Sequence, residues 1–206
     1  MKYRTYILFA IALLLGLVVV FATRVLVQSY TFKGSLIDPP LPAEDFTLKD
    51  QYGRPFHLAG HRGEVVLIFF GYTNCPDVCP VTLSDFRQIK ERLGEEAERV
   101  NFVFVTVDPE RDTPERIAEH LANFDPDFIG LTGEPEELRV VWDAYGVYAE
   151  KAQAASASGY LVDHTARVYV IDVNGNLRLT YAFGTGNQAM AQDVDHLLDE
   201  EAGSND

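Results

Sequence analysis

The thiol chemistry of this chain rests on two cysteines, Cys75 and Cys79, in the segment Cys75-Pro76-Asp77-Val78-Cys79-Pro80. They follow an apolar run, Glu64 to Phe70, and precede residues 80–93, where Leu83, Phe86 and Ile89 recur at helical spacing. The pattern predicts a buried strand, a turn and a helix, with Pro80 suited to the first helical turn. A sulfur in a first helical turn meets unpaired backbone N–H groups and the positive end of the dipole, which favour its thiolate; the spacing puts Cys79 there. Three intervening residues let both sulfurs face one ligand and still let them meet as a disulfide. A disulfide closing so small a loop removes little entropy from the unfolded chain, so stapling is a poor reason for the pair.

Two thiolates suit a soft ion such as Cu(I), and an imidazole beside them would also satisfy Cu(II). Five histidines are available. His57 and His61 flank the entry to the apolar strand, His120 falls late in a helix and His196 stands among acids, so each reads as a surface or capping residue. His164 differs. It lies in Leu161-Val162-Asp163-His164-Thr165, at the loop entering a strand that, in a thioredoxin-like sheet, lies beside the strand leading to the cysteines. A structural zinc usually takes four protein ligands, and Cys75, Cys79 and His164 make three, so copper is preferred to zinc. An open fourth side is what an ion destined for transfer requires, because an acceptor's ligands can attack before the first ones leave.

The elements that must position these residues follow from periodicity and turn chemistry. Asp45 to Leu48 reads as a short strand, Gln51 to Arg54 as a turn, Glu64 to Phe70 and Asn101 to Val107 as strands buried on both faces. Thr113-Pro114-Glu115 opens a helix, and a third helix is expected over Glu136 to Tyr145. Residues 152–158 are small and polar and are expected to form an exposed loop. Arg167 to Asp172 and Leu177 to Tyr181 flank Asn174-Gly175, a hairpin signal, and an amphipathic helix over Asn187 to Glu200 closes the chain. This order is that of an α/β, thioredoxin-like fold, a central mixed sheet flanked by helices, with residues 124–160 as an insertion before the hairpin.

Residues 6–22, YILFAIALLLGLVVVFA, form an uncharged run at the short end of what spans a bilayer, with Lys2 and Arg4 before it. The expected organisation is an N-terminal transmembrane helix over residues 1–24, a proline-stiffened tether over 25–42 and a folded domain over 43–202. A cleaved signal peptide is the alternative. The positive-inside tendency exports the domain, and the absence of an Arg- and Ser-rich presequence favours a bacterial inner membrane, with the domain facing the periplasm, over the mitochondrial inner membrane. The chain carries a formal charge of −14, of which its first 34 residues hold +4, leaving −18 on the rest. Such a surface argues against nucleic-acid binding and suits a basic or metal-bearing partner.

Three segments, Tyr72 to Pro80, Val107-Asp108-Pro109-Glu110-Arg111-Asp112-Thr113-Pro114 and Asp163-His164-Thr165, resemble the signature segments of the SCO/SenC proteins, in the family's order. The resemblance covers about residues 43–200. It implies copper on Cys75, Cys79 and His164, a redox-active disulfide between Cys75 and Cys79, and a partner in cytochrome c oxidase subunit II. There the protein would deliver copper to the dinuclear site or reduce its cysteines beforehand. The family often has histidine before the first cysteine, where this chain has Asn74. The rival function is a membrane-anchored thiol-disulfide oxidoreductase, an enzyme using the same pair, acting on another thiol-bearing acceptor. Asp108 and the Glu110-Arg111-Asp112 run could orient the site, or could simply supply turn chemistry between strand and helix.

Overall fold

A computed structural model describes residues 3–4, 6–7, 13–17, 30–156 and 159–202. The chain divides into two compact units, residues 1–31 and residues 32–206. In the first, residues 3–4, 6–7 and 13–17 are helical. Among the described residues no helix is long and apolar enough to cross a membrane, and much of the expected anchor lies outside them.

The second unit is built on an eight-stranded mixed sheet. In chain order its strands are β1 (Ser35–Pro42), β2 (Thr47–Asp50), β3 (Pro55–His57), β4 (Val65–Gly71), β5 (Val100–Thr106), β6 (Ile129–Thr132), β9 (Arg167–Ile171) and β10 (Asn176–Ala182). Between β6 and β9, β7 (Ala149–Ser156) and β8 (Gly159–His164) form a separate antiparallel pair. The helices are α1 (Val78–Leu93), α2 (Pro114–Ala122), α3 (Pro135–Ala144) and α4 (Asn187–Ala202). The spatial order in the large sheet is β1-β10-β9-β4-β5-β6-β2-β3.

Every residue of β4 is buried, as a strand covered on both faces must be. Successive side chains point to opposite faces. Phe69 meets Phe104 and His164, whereas Phe70 meets Tyr145 and Tyr169. Phe86 of α1 packs on Phe102 and Phe128, and α4 lies along α1. On the Phe70 side, Tyr145 following α3 also packs on Phe46 and donates its hydroxyl to Glu44 O.

Three expectations are corrected. Residues within the expected tether are extended, but Ser35–Pro42 pairs antiparallel with β10, so ordered pairing starts at Ser35 rather than near residue 43. An edge strand tolerates its prolines because one row of N–H groups needs no sheet partner. The expected loop at residues 152–158 is in part strand β7, and the stretch taken as an insertion contains β6, which extends the sheet in parallel beside β5. The Asn174-Gly175 hairpin forms, closed by Asp172 N to Asn176 O at 2.8 Å with Gly175 at φ +82°, a three-residue loop with glycine in the left-handed position.

Candidate metal centre

Sheet direction brings together residues 85 apart in sequence. β4 pairs parallel with β5 and antiparallel with β9, so the chain leaves β4 at the edge where it enters β9; Val168 stands opposite Phe69. The loop after Gly71 carries the cysteines, and the end of β8, three residues before β9, carries His164. The site therefore lies outside the carboxyl ends of β4 and β5, where α/β sheets open a crevice. The sulfurs of Cys75 and Cys79 and a ring nitrogen of His164 lie within 4.8 Å of one another, the one Cys/His/carboxylate cluster of metal-binding spacing among the described residues.

The two cysteines are free thiols in unlike settings. Cys79, the second residue of α1, is fully buried, with His164 Nε2 3.8 Å from its sulfur. Cys75 is half-buried in the preceding turn, its N–H donating to Tyr72 O, and its sulfur accepts from Cys79 N at 3.4 Å. The helix start thus delivers its free donors to Cys75, correcting the expectation that Cys79 is the sulfur so favoured. Hydrogen bonding from the Cys79 thiol, aided by His164 and by backbone N–H groups, holds the Cys75 thiol far below the ordinary range; burial, with Cys75 alongside, pushes Cys79 up.

Residues that do not touch the metal position hold the two halves. Tyr72 is buried beneath both: its ring stands edge-on to the His164 ring at 5.7 Å, and its hydroxyl accepts from Val162 N of β8 at 3.2 Å. Asp112, also buried, accepts from Thr73 N at 3.1 Å, Thr73 Oγ1 at 2.6 Å and Thr106 Oγ1 at 2.7 Å. Burial pushes its carboxyl pKa upward despite those donors. Asp108 accepts from the Tyr160 hydroxyl at 2.6 Å and from Arg111 Nε, while Arg111 Nη1 donates to Tyr160 O at 2.8 Å. The Arg111 guanidinium lies over the Tyr160 ring at 3.6 Å and 5.7 Å from the Tyr72 centroid. The two readings of residues 108–114 both apply, since Thr113 also caps α2 by accepting from Arg116 N. Sequence reasoning missed Tyr72 and Tyr160. Tyr72 carried a weak signal, its place between strand and cysteine; Tyr160 carried none.

The other histidines stay apart from this cluster. His57 bonds Thr47 Oγ1, His61 bonds Glu64 and stacks on Phe56, and His196 lies near Glu200. His120 packs against Phe104 and Phe124, and burial lowers its pKa. Asn74 accepts a hydrogen bond from Arg116.

Two sulfurs and an imidazole, with no carboxylate among them, form a donor set for copper rather than for a hard cation. Residues 36–199 match the family model described as SCO1/SenC. The SCO2-like protein RC0895 of Rickettsia conorii is 39% identical over 132 residues, 64% of this chain and 64% of that protein. The chain thus matches slightly under two thirds of that relative's length. The mitochondrial SCO2 homolog of Homo sapiens is 38% identical over 133 residues, 64% of this chain and 50% of the relative. Among solved structures, Bradyrhizobium japonicum ScoI with copper bound aligns with a TM-score of 0.69 at 37% identity, covering 75% of this chain and 98% of that one. Apo Sco1 from Thermus thermophilus aligns with a TM-score of 0.69 at 39% identity, covering 85% and 98%.

Proposed function

Because this chain belongs to the SCO1/SenC family, we propose that it is a copper metallochaperone for cytochrome c oxidase assembly, holding its cargo on Cys75, Cys79 and His164. The observation that carries the reading is the convergence of two thiols and one imidazole within 4.8 Å, with no fourth histidine, cysteine or carboxylate in the cluster among the described residues. Three donors bind an ion and leave one side for an incoming ligand, so cargo can pass to an acceptor by exchange. The acceptor we favour is the dinuclear copper site of oxidase subunit II. The apolar run at residues 6–22 supports a single-pass anchor in a bacterial inner membrane, with the folded domain on the periplasmic side.

The test is copper titration of the full chain against Cys75→Ser, Cys79→Ser and His164→Ala. Loss of the imidazole should lower Cu(II) affinity by at least about tenfold, the lower bound for disturbing even an outer partner of a ligand, and should weaken Cu(I) less. Unchanged Cu(II) affinity in His164→Ala would remove the histidine from the site.

The unlike thiols favour a second reading, thiol-disulfide exchange. The Cys75 thiolate would attack a partner disulfide, and Cys79 would then resolve the mixed disulfide. The partner would leave as a dithiol, and Cys75 and Cys79 would be left oxidised as a disulfide that an external dithiol must reduce. Turnover in metal-free buffer that is indifferent to His164→Ala would favour this reading over the metallochaperone.

A further inference from the structure

The imidazole and the sulfurs arrive on different pieces of structure. Cys75 and Cys79 sit on the β4–α1 junction, anchored to the central sheet, whereas His164 ends a two-stranded ribbon outside that sheet. An isolated two-stranded ribbon is marginal in water, so what fixes the ribbon to the domain fixes the imidazole. Much of that attachment converges on one side chain. Arg111 pairs with buried Asp108, donates to Tyr160 O of β8, and covers the ring of Tyr160, whose hydroxyl returns to Asp108. Its remaining nitrogen, Nη2, is buried and has no hydrogen-bond partner among the described residues. From the cysteine side, the Tyr72 hydroxyl accepts a bond from the ribbon backbone at Val162 N.

We propose that Arg111 is a positioning residue for His164: by clamping the β7–β8 ribbon between Asp108 and Tyr72, it holds the imidazole within reach of the sulfurs. The assignment rests on the copper reading above. A plain ion pair would need only a positive charge. Here the group must bond a carboxylate with one edge, a carbonyl with another and lie flat on a ring, which a guanidinium does and an ammonium does not. Asp112 from the same loop binds Thr73 beside the cysteines. The β5–α2 connection therefore grips both halves of the site.

The experiment uses the full chain carrying Arg111→Lys, which keeps the charge over buried Asp108, and Tyr160→Phe, which removes a single hydroxyl. In metal-free protein, amides of residues 159–164 should exchange hydrogen at least about tenfold faster in Arg111→Lys, the response to losing a charge-assisted bond, with β4 and β5 unchanged. Cu(II) affinity should fall about 10–100-fold, with weakened nitrogen coupling in the Cu(II) spectrum. Tyr160→Phe should move both readouts in the same direction by less. In a His164→Ala background the further loss of affinity should vanish, because a residue acting through the imidazole has nothing left to position. Parent-like Cu(II) affinity in both variants, or an equal loss with and without His164, overturns the assignment while leaving the copper reading intact. A parent chain that binds no Cu(II) overturns the copper reading itself, and the assignment with it.

Discussion

Cys75 and Cys79 are chemically the same and physically opposite. Cys79 is enclosed by the sheet and the helix, and taking its charge out of water is costly; Cys75 sits half in solvent with N–H groups directed at its sulfur. One sulfur is therefore ready as a thiolate and the other stays protonated until a metal or a disulfide displaces its proton. In the reduced, metal-free chain, iodoacetamide should label Cys75 first and reach Cys79 only on unfolding. The sign of the shift sets the pH dependence. An ordinary thiol near pKa 8.5 loses reactivity about tenfold per pH unit below that value. Cys75, lowered to about 3, should react at a nearly constant rate from pH 8 to pH 5. Mass spectrometry of timed digests decides it, and a rate falling in step with pH would mean that the helix start does not stabilise the sulfur.

At the scale of elements, the end of β4 is where backbone and sulfur approach most closely. A Cβ on Gly71 would stand 2.8 Å from Cys79 Sγ and 2.9 Å from ring atoms of both Phe69 and Phe104. These neighbours are all buried, so none can yield cheaply. Gly71→Ala should cost about 1–3 kcal/mol by overpacking. For a domain this size the melting temperature should drop roughly 2–4 °C per kcal/mol. Thermal melts of the two proteins check this; an unshifted melt would mean that the helix start can slide away from the strand. The elements flanking this junction were legible in the sequence because β4 and β5 are continuous apolar runs and α1, α2 and α4 carry clear helical periods. What escaped was held by tertiary contacts instead of local pattern. Ile129–Thr132 is four residues long, too short for alternation to register, and owes its strand conformation to pairing with β5 and β2. Residues 149–156 lack the β-branched and aromatic side chains that mark strands, and gain their conformation from pairing with β8. The ligands themselves were readable, since soft donors are few and their types announce the chemistry. The clamp around Arg111 was not, because its parts come from three separated segments, at Tyr72, at Asp108 and Arg111, and at Tyr160 and Val162.

At the scale of the whole molecule, the second unit begins at Phe32, and a buried carboxylate secures its first residues. Asp193 of α4, fully buried, accepts from Lys33 N at 2.9 Å, Gly34 N at 2.8 Å and the Tyr181 hydroxyl at 3.0 Å. The backbone at Gly34 runs so close over the Tyr181 ring that a Cβ there would collide with it. From this point β1 goes on to pair with β10, its side chains mostly exposed, so little apolar burial helps to keep it in place. Hydrogen bonds to a charged group contribute about 1.5–3 kcal/mol each, and their loss leaves donors that must find water. Asp193→Ala should therefore release the edge of the sheet before its centre. Amides of residues 35–42 should lose protection from hydrogen exchange while those of β4 and β5 keep theirs, and denaturant melts should show a loss of a few kcal/mol. If β1 stays as protected as in the parent chain, the strand is held by its pairing with β10 alone, and the carboxylate serves only the packing of Tyr181.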